Sequence, residues 1–177
     1  MAGTRRTEMT RLLFRTALVE LMQNKSFSKI SITEICEQAD LNRTTFYLHY
    51  SDQQELLSDV VQDVLERTEK YLRGNGKHKN MEEFLTDYLE YIRTNAQNFH
   101  TLMCGDISSE ARAVLIEGLL KDMKEEWPNY GPPMENDYTY TFIMQGSMHV
   151  IIRWIEQGFD LSGKELATLI LQLVTKV

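Results

Sequence analysis

An all-helical fold is predicted by three observations. Nearly every segment repeats its apolar residues at helical period, and no run alternates apolar and polar residues as a half-buried strand does. At three points a Ser is followed three residues later by Glu or Gln, the pattern in which each side chain satisfies an otherwise unpaired backbone N–H at a helix start; they are Ser31 with Glu34, Ser51 with Gln54 and Ser162 with Glu165. At 177 residues the chain accommodates one helical unit with a real core, or a small module joined to a larger one.

The first helix is predicted over residues 9–27, where Phe14, Ala17, Leu18, Leu21 and Met22 share a face, with Arg5, Arg6 and Arg11 in or just before its start as a loose basic arm. Helices of very different length follow over residues 31–38, 43–49 and 52–72. Ile30 with Ile35, and Leu161 with Leu166, have the spacing of a hydrophobic staple. The stretch "RGNGKHKN", residues 73–80, has the glycines and polarity of a loop. Beyond it Met81, Phe84, Leu85, Tyr88 and Ile92 mark an amphipathic helix that continues toward Met103, and Ile116, Leu119, Leu120, Met123 and Trp127 mark another. Pro128, Gly131, Pro132 and Pro133 break the pattern into a loop. Residues 137–157 form a helix with apolar side chains on more than one face, expected to be buried on several sides. Gly158 is placed to end it, and residues 161–177 form the last helix.

The formal net charge of -7 is unevenly spread: residues 1–50 carry seven basic and five acidic side chains, a net of +2, which leaves -9 for residues 51–177. A basic end on an acidic body suits a polyanion touched at one end only. No apolar run is long enough to span a bilayer and no secretory leader is visible, so a soluble cytoplasmic protein without a membrane partner is expected. The two cysteines, Cys36 and Cys104, lie far apart and suit a reducing compartment. His100 and Cys104 are four apart, but two ligands without a third do not make a metal site, and His78 and His149 show no partner. With no nucleophile motif and no phosphate-binding glycine loop, neither an enzyme nor a bound cofactor or metal is expected.

The most informative stretch is "SITEICEQADLNRTTFYLHYSDQQELL", residues 31–57. Capping boxes bracket it, and Asn42 is a good N-cap for the piece between them. The result is a helix of about two turns, a tight connection and a second helix of about two turns, the helix-turn-helix plan. In the second helix Phe46 and Tyr50 fall four apart and pack inward with Ile35 and Leu41, which leaves Arg43, Thr44, Tyr47 and Leu48 pointing out. Arg pairs with guanine edges, a Thr methyl meets the thymine methyl, and Thr, Tyr and His donate to phosphate.

Through Ile35, Ala39, Leu41, Asn42, Thr45, Phe46, Tyr47, His49, Tyr50, Leu56 and Leu57 the segment resembles the DNA-binding domain of TetR-type transcriptional regulators, over residues 8–60. The stretch "GSMHVIIRWIEQGFDLSGKELATLI" resembles the C-terminal region of the subgroup that includes regulators of dihydroxyacetone-kinase operons. The resemblance implies a DNA-reading domain over residues 1–52 and a helical domain over residues 53–177 that pairs with its copy and takes up an effector or a partner. It further implies that Arg43 and Thr44 read bases, that Thr33 reaches the same groove, that Thr45, Tyr47 and His49 hold phosphates, and that Leu48 sits at the groove edge. Three residues depart from the family pattern. Asp40 replaces a turn Gly, and Asp tolerates a left-handed backbone better than most residues. Cys36 replaces a small buried Ala and is expected to pack. Gln53 replaces a phosphate-gripping Lys, so that contact weakens or shifts to the helix N-terminus.

The resemblance implies a homodimer paired through its last two helices, on a near-palindromic duplex. Ile143, Gly146, Ser147, Val150 and Trp154 form one candidate stripe, and Leu166, Ala167, Ile170 and Val174 a matching one; both also suit an intramolecular core. Phe84, Tyr88, Tyr91, Phe99, Met103, Tyr138, Phe142 and Met148 are the candidate lining for a small apolar or aromatic effector. Two readings follow: a ligand-responsive repressor, or a DNA-bound coactivator whose C-terminal part docks a partner protein.

Overall fold

The helices of the computed structural model, which describes residues 2–74, 78–107, 109–126 and 137–175, begin where the sequence supplies side-chain acceptors. In chain order they are α1 (Ala2–Met22), a short 3-10 turn (Phe27–Lys29), α2 (Ile32–Gln38), α3 (Arg43–Tyr47), α4 (Gln53–Gly74), α5 (Met81–Thr94), α6 (Ala96–Met103), α7 (Ser109–Glu126), α8 (Asp137–Glu156) and α9 (Gly163–Val174). No strand occurs among the described residues.

Ser31 and Ser162 each accept from the backbone N–H of the Glu three residues on, and that Glu returns a bond to the Ser backbone. These bonds hold the carboxyls down: Glu34, bonded first to Lys25 and then to Ser31, falls to about 2, and Glu165 is lowered by Ser162. The third cap differs from expectation. Asp52 accepts the Glu55 N–H at 2.9 Å, while the Glu55 carboxylate accepts from the Ser51 backbone at 2.7 Å and its hydroxyl at 2.8 Å. Asp52 takes the N-cap place one residue beyond Ser51, so the helix starts at Gln53, and it is the Glu55 carboxylate that accepts from the Ser51 backbone.

Other boundaries also move. The basic arm is helical, because α1 runs from Ala2, and it stops at Met22, where i-to-i+3 bonds tighten the chain at Gln23 and Asn24. The helix expected to run from Met81 toward Met103 breaks at Asn95, whose side-chain amide donates to the Tyr91 carbonyl at 2.9 Å and competes with the helical ladder. Trp127 and the proline loop after it lie outside the described residues.

The interior is continuous from one end to the other. Phe14 meets Phe46 edge-on at 5.3 Å and Tyr50 at 6.1 Å, which locks α1 to α3 and its following turn. α1 also packs on α2 and α4, α4 on α7, α5 on α9, and α6 on α8. Gly118 lets α7 approach α4: a Cβ there would come within 2.6 Å of the Leu65 side chain. α8 buries Met148, Ile151, Trp154 and Ile155 but leaves Tyr138 86% and Phe142 64% exposed, so within one chain it is covered on one side only, a correction to the several-sided burial expected.

α4 is tied to the N-terminal helices through Asp59. Its carboxylate accepts from Arg11, from Arg15 Nη1 at 3.3 Å and from the Tyr50 hydroxyl at 2.6 Å, and Arg15 Nη2 continues to Asp63 at 3.1 Å. Burial pushes the Asp59 carboxyl up, but the bonds from Arg11 and Tyr50 and the charge of Arg15 outweigh it, so the group titrates below its ordinary 3.8. A carboxyl lowered by folding stabilises the fold above its unfolded value, and that share is lost as the pH falls through the folded one. Asp59→Asn should therefore cost about 1–3 kcal/mol at neutral pH, as leaving part-buried donors without their charged acceptor does. Urea unfolding across pH measures it: the gap between wild type and variant should close as the pH drops below 3.8, and a gap that stays constant would refute the assignment.

Candidate nucleic-acid interface

The turn between α2 and α3 fixes how α3 is presented. Asp40 takes a φ of 53°, the left-handed conformation that short polar side chains tolerate best after glycine. The Leu41 N–H then returns to the Cys36 carbonyl at 2.9 Å. Asn42 caps α3, its side-chain oxygen accepting from the Thr45 backbone at 2.8 Å and the Thr45 hydroxyl at 3.0 Å. Cys36 is buried, and burial pushes its thiol up, so it packs rather than reacts.

Held this way, α3 turns Phe46 fully inward beside Tyr50, while Arg43, Thr44, Tyr47 and Leu48 face out, Tyr47 50% and Leu48 77% exposed. Thr33 is exposed on α2, and Thr45 and His49 are half-buried beside this row. Arg43 Nη2 donates to the Tyr47 hydroxyl oxygen at 3.3 Å, with the guanidinium carbon 5.9 Å from the ring centre. The surface thus offers a fork of N–H donors, hydroxyls and one large apolar side chain on a narrow ridge.

Gln53 stands apart from the row. Its amide donates to the Ile30 carbonyl, so the residue braces the start of α4 against the segment before α2. The charge pattern also changes meaning. Arg11 and Arg15 are bonded to Asp59 and Asp63, and Lys25 to Glu34 at 2.5 Å, whereas Arg5, Arg6, Lys29 and Arg43 are exposed. Part of the basic excess counted over residues 1–50 is therefore internal. Asp59 is the residue that sequence reasoning missed. A signal existed, since Arg11 and Arg15 are spaced one turn apart, as are Asp59 and Asp63.

In the acidic half Phe84, Tyr88, Phe99, Met103 and Met148 are brought together in the core, the Phe84 and Tyr88 rings stacked at 6.2 Å. Tyr91 is half-buried and stacks on Tyr71 at 4.5 Å. Tyr138 and Phe142 are instead on the surface of α8 and do not join that group. His78 does have a partner: its Nε2 lies 3.1 Å from Asp87, and its ring meets Phe84 edge-on.

Of the two pairing stripes, Ile143, Gly146, Ser147, Val150, Ile170 and Val174 line an apolar groove of about 210 Å³ between α8 and α9, together with Phe142 and Leu173. A Cβ at Gly146 would meet nothing within 4 Å, so the chain itself leaves the space above it open. Trp154, Leu166 and Ala167 are corrected to the chain's own core. The Trp154 indole N–H donates to the Leu161 carbonyl at 2.9 Å, and α9 lays its buried edge on α5. Among the described residues no three or more His, Cys, Asp or Glu side chains cluster as metal ligands, and no helix is long and apolar enough to cross a membrane.

A TetR-type family model described as a transcriptional regulator C-terminal region matches residues 79–176. An HTH-type transcriptional regulator of Haemophilus influenzae is 28% identical over 123 residues, 64% of this chain and 58% of that protein. The HTH-type dhaKLM operon transcriptional activator DhaS of Lactococcus lactis is 33% identical over 55 residues, 31% of this chain and 29% of that one. The chain thus spans less than two thirds of the length of the curated relatives it matches. Among solved structures, a TetR transcriptional regulator from Streptococcus agalactiae 2603V has the same fold, with a TM-score of 0.79, 21% identity and coverage of 99% of this chain and 98% of that one.

Proposed function

The chain belongs to the TetR family of transcriptional regulators, and from that premise we propose that it binds a near-palindromic DNA site as a homodimer and controls transcription there. The observation that carries this is the outer row of α3, in which Arg43, Thr44, Tyr47 and Leu48 stand clear of the core while Phe46 anchors the helix from below. In this reading residues 1–52 contact DNA and residues 53–177 pair and sense. Arg43 and Thr44 meet base edges with Thr33 beside them, Thr45, Tyr47 and His49 donate to phosphates, and Leu48 lies at the groove edge. Gln53, bonded to Ile30, serves the interface as a brace.

One α3 reads one half-site, and two copies related by a two-fold axis read both. The open apolar groove over Gly146, Val150 and Leu173 supports pairing through α8 and α9. For the regulatory input we favour a small apolar or aromatic effector, entering among the side chains that converge from α5, α6 and α8, which relieves repression. The second reading, a partner protein docked on the C-terminal part of a DNA-bound coactivator, draws support from the near-parallel, offset packing of the buried Phe84 and Tyr88 rings and from the local likeness to a dhaKLM operon activator. Thermal denaturation with apolar compounds separates the two, since an effector that binds only the folded chain raises its melting temperature.

Arg43→Ala should cost about 1–3 kcal/mol on the preferred duplex and relax base preference at one position of each half-site, as loss of a bidentate base contact does. Titrations of single-base-substituted duplexes measure this; a uniform loss on every sequence would reassign Arg43 to the phosphates. Gly146→Leu should yield a folded but largely monomeric protein, because overpacking costs about 1–3 kcal/mol per site and a two-fold contact meets it from both sides. Sedimentation with circular dichroism decides the matter, and an intact dimer would remove Gly146 from the interface.

A further inference from the structure

Tyr47 makes a contact that a phosphate ligand does not need. Its hydroxyl oxygen accepts from Arg43 Nη2 at 3.3 Å, one helical turn away on the exposed face of α3, and its ring lies 5.9 Å from the guanidinium carbon. The ring itself is anchored. It stands edge-on to Phe46 at 5.6 Å and 87°, and Phe46 is fully buried against Phe14 at 5.3 Å. A chain of aromatic contacts therefore runs from the core of the N-terminal unit to the group that meets DNA.

The hydrogen-bond inventory of the pair decides what it can do. A phenol has one O–H donor and two acceptor lone pairs, and a guanidinium has five N–H donors and no acceptor. The bond from Arg43 takes one lone pair of Tyr47 and leaves its O–H to donate outward. It takes one N–H of Arg43 and leaves the others to face a base edge, for which a two-pronged fork is the matching geometry. An exposed Arg side chain otherwise samples many rotamers, and fixing it only upon binding carries an entropic cost.

Resting on the DNA-reading assignment above, we propose that Tyr47 is a positioning residue for Arg43. It holds the guanidinium in place while its own O–H donates to a phosphate, so that the backbone contact and the base contact form as one unit. Tyr47 then contributes to sequence discrimination through Arg43, although it touches no base.

Tyr47→Phe separates the roles, because it keeps the ring and its Phe46 contact and removes only the hydroxyl. Wild type, Arg43→Ala, Tyr47→Phe and the double variant are each titrated against three duplexes: the preferred site, that site altered at the base pair where Arg43→Ala loses preference, and an unrelated sequence. Circular dichroism confirms that each variant is folded. Tyr47→Phe should reduce discrimination at that base pair about fivefold, the effect of one solvent-facing hydrogen bond, and should leave discrimination unchanged in the Arg43→Ala background. An equal loss on all three duplexes in both backgrounds would make Tyr47 a plain phosphate ligand and overturn the positioning role alone. A wild type that prefers none of the duplexes, or an Arg43→Ala protein that loses no base preference, would overturn the DNA-reading assignment and this inference with it.

Discussion

The Asp59 carboxylate on α4 accepts from Arg11 and Arg15 on α1 and from the Tyr50 hydroxyl just beyond α3, so elements far apart in sequence share one half-buried acceptor. Without it Arg15 would keep only Asp63 and Arg11 only the more distant Glu8, and the Tyr50 hydroxyl would lose its acceptor. With it the start of α4 is tied into the N-terminal helices rather than tethered to them. The other ties act in the same place: Gln53 bonds Ile30, and Phe14, Phe46 and Tyr50 close edge-on around one another. The pose of α3 is thus set by what lies beneath it, and its outer face is left to chemistry.

The same helix links that end to the acidic body. α4 continues as an unbroken helix to Gly74, and along it α7 approaches closely at Gly118. α5 packs on α4 and α6 on α1, so a rearrangement among α5, α6 and α8 would reach the N-terminal helices through those two contacts. The geometry therefore offers a mechanical route for a regulatory input whatever the input is, since both the effector and the partner readings act on the same body.

What the sequence reveals and what it conceals divide along physical lines. The caps at Ser31 and Ser162, the left-handed turn at Asp40 and the inward pair Phe46 and Tyr50 depend on neighbours within one or two turns, and they are legible. The cap at Asp52 is not, because Ser51 and Asp52 stand side by side and either could start the helix, one residue out of register with the other. Arg11 and Arg15 read as free charge because their partners lie in another helix. Trp154, Leu166 and Ala167 read as a pairing face because a periodic apolar stripe does not say whether α5 or a second copy covers it. Phe142 and Gly146 are the opposite case: residues that the structure leaves uncovered on the groove edge.

The proposed pairing has two copies of one short helix, α3, meeting one duplex together. Selection of bound duplexes from a pool with a randomised core, using the intact protein, decides whether they do. The selected duplexes should share an inverted repeat whose half-sites are centred one helical turn apart, ~10 base pairs, or a multiple of that spacing. Recovery of unrelated sequences, or of a single half-site without its inverted copy, would rule out paired reading by α3.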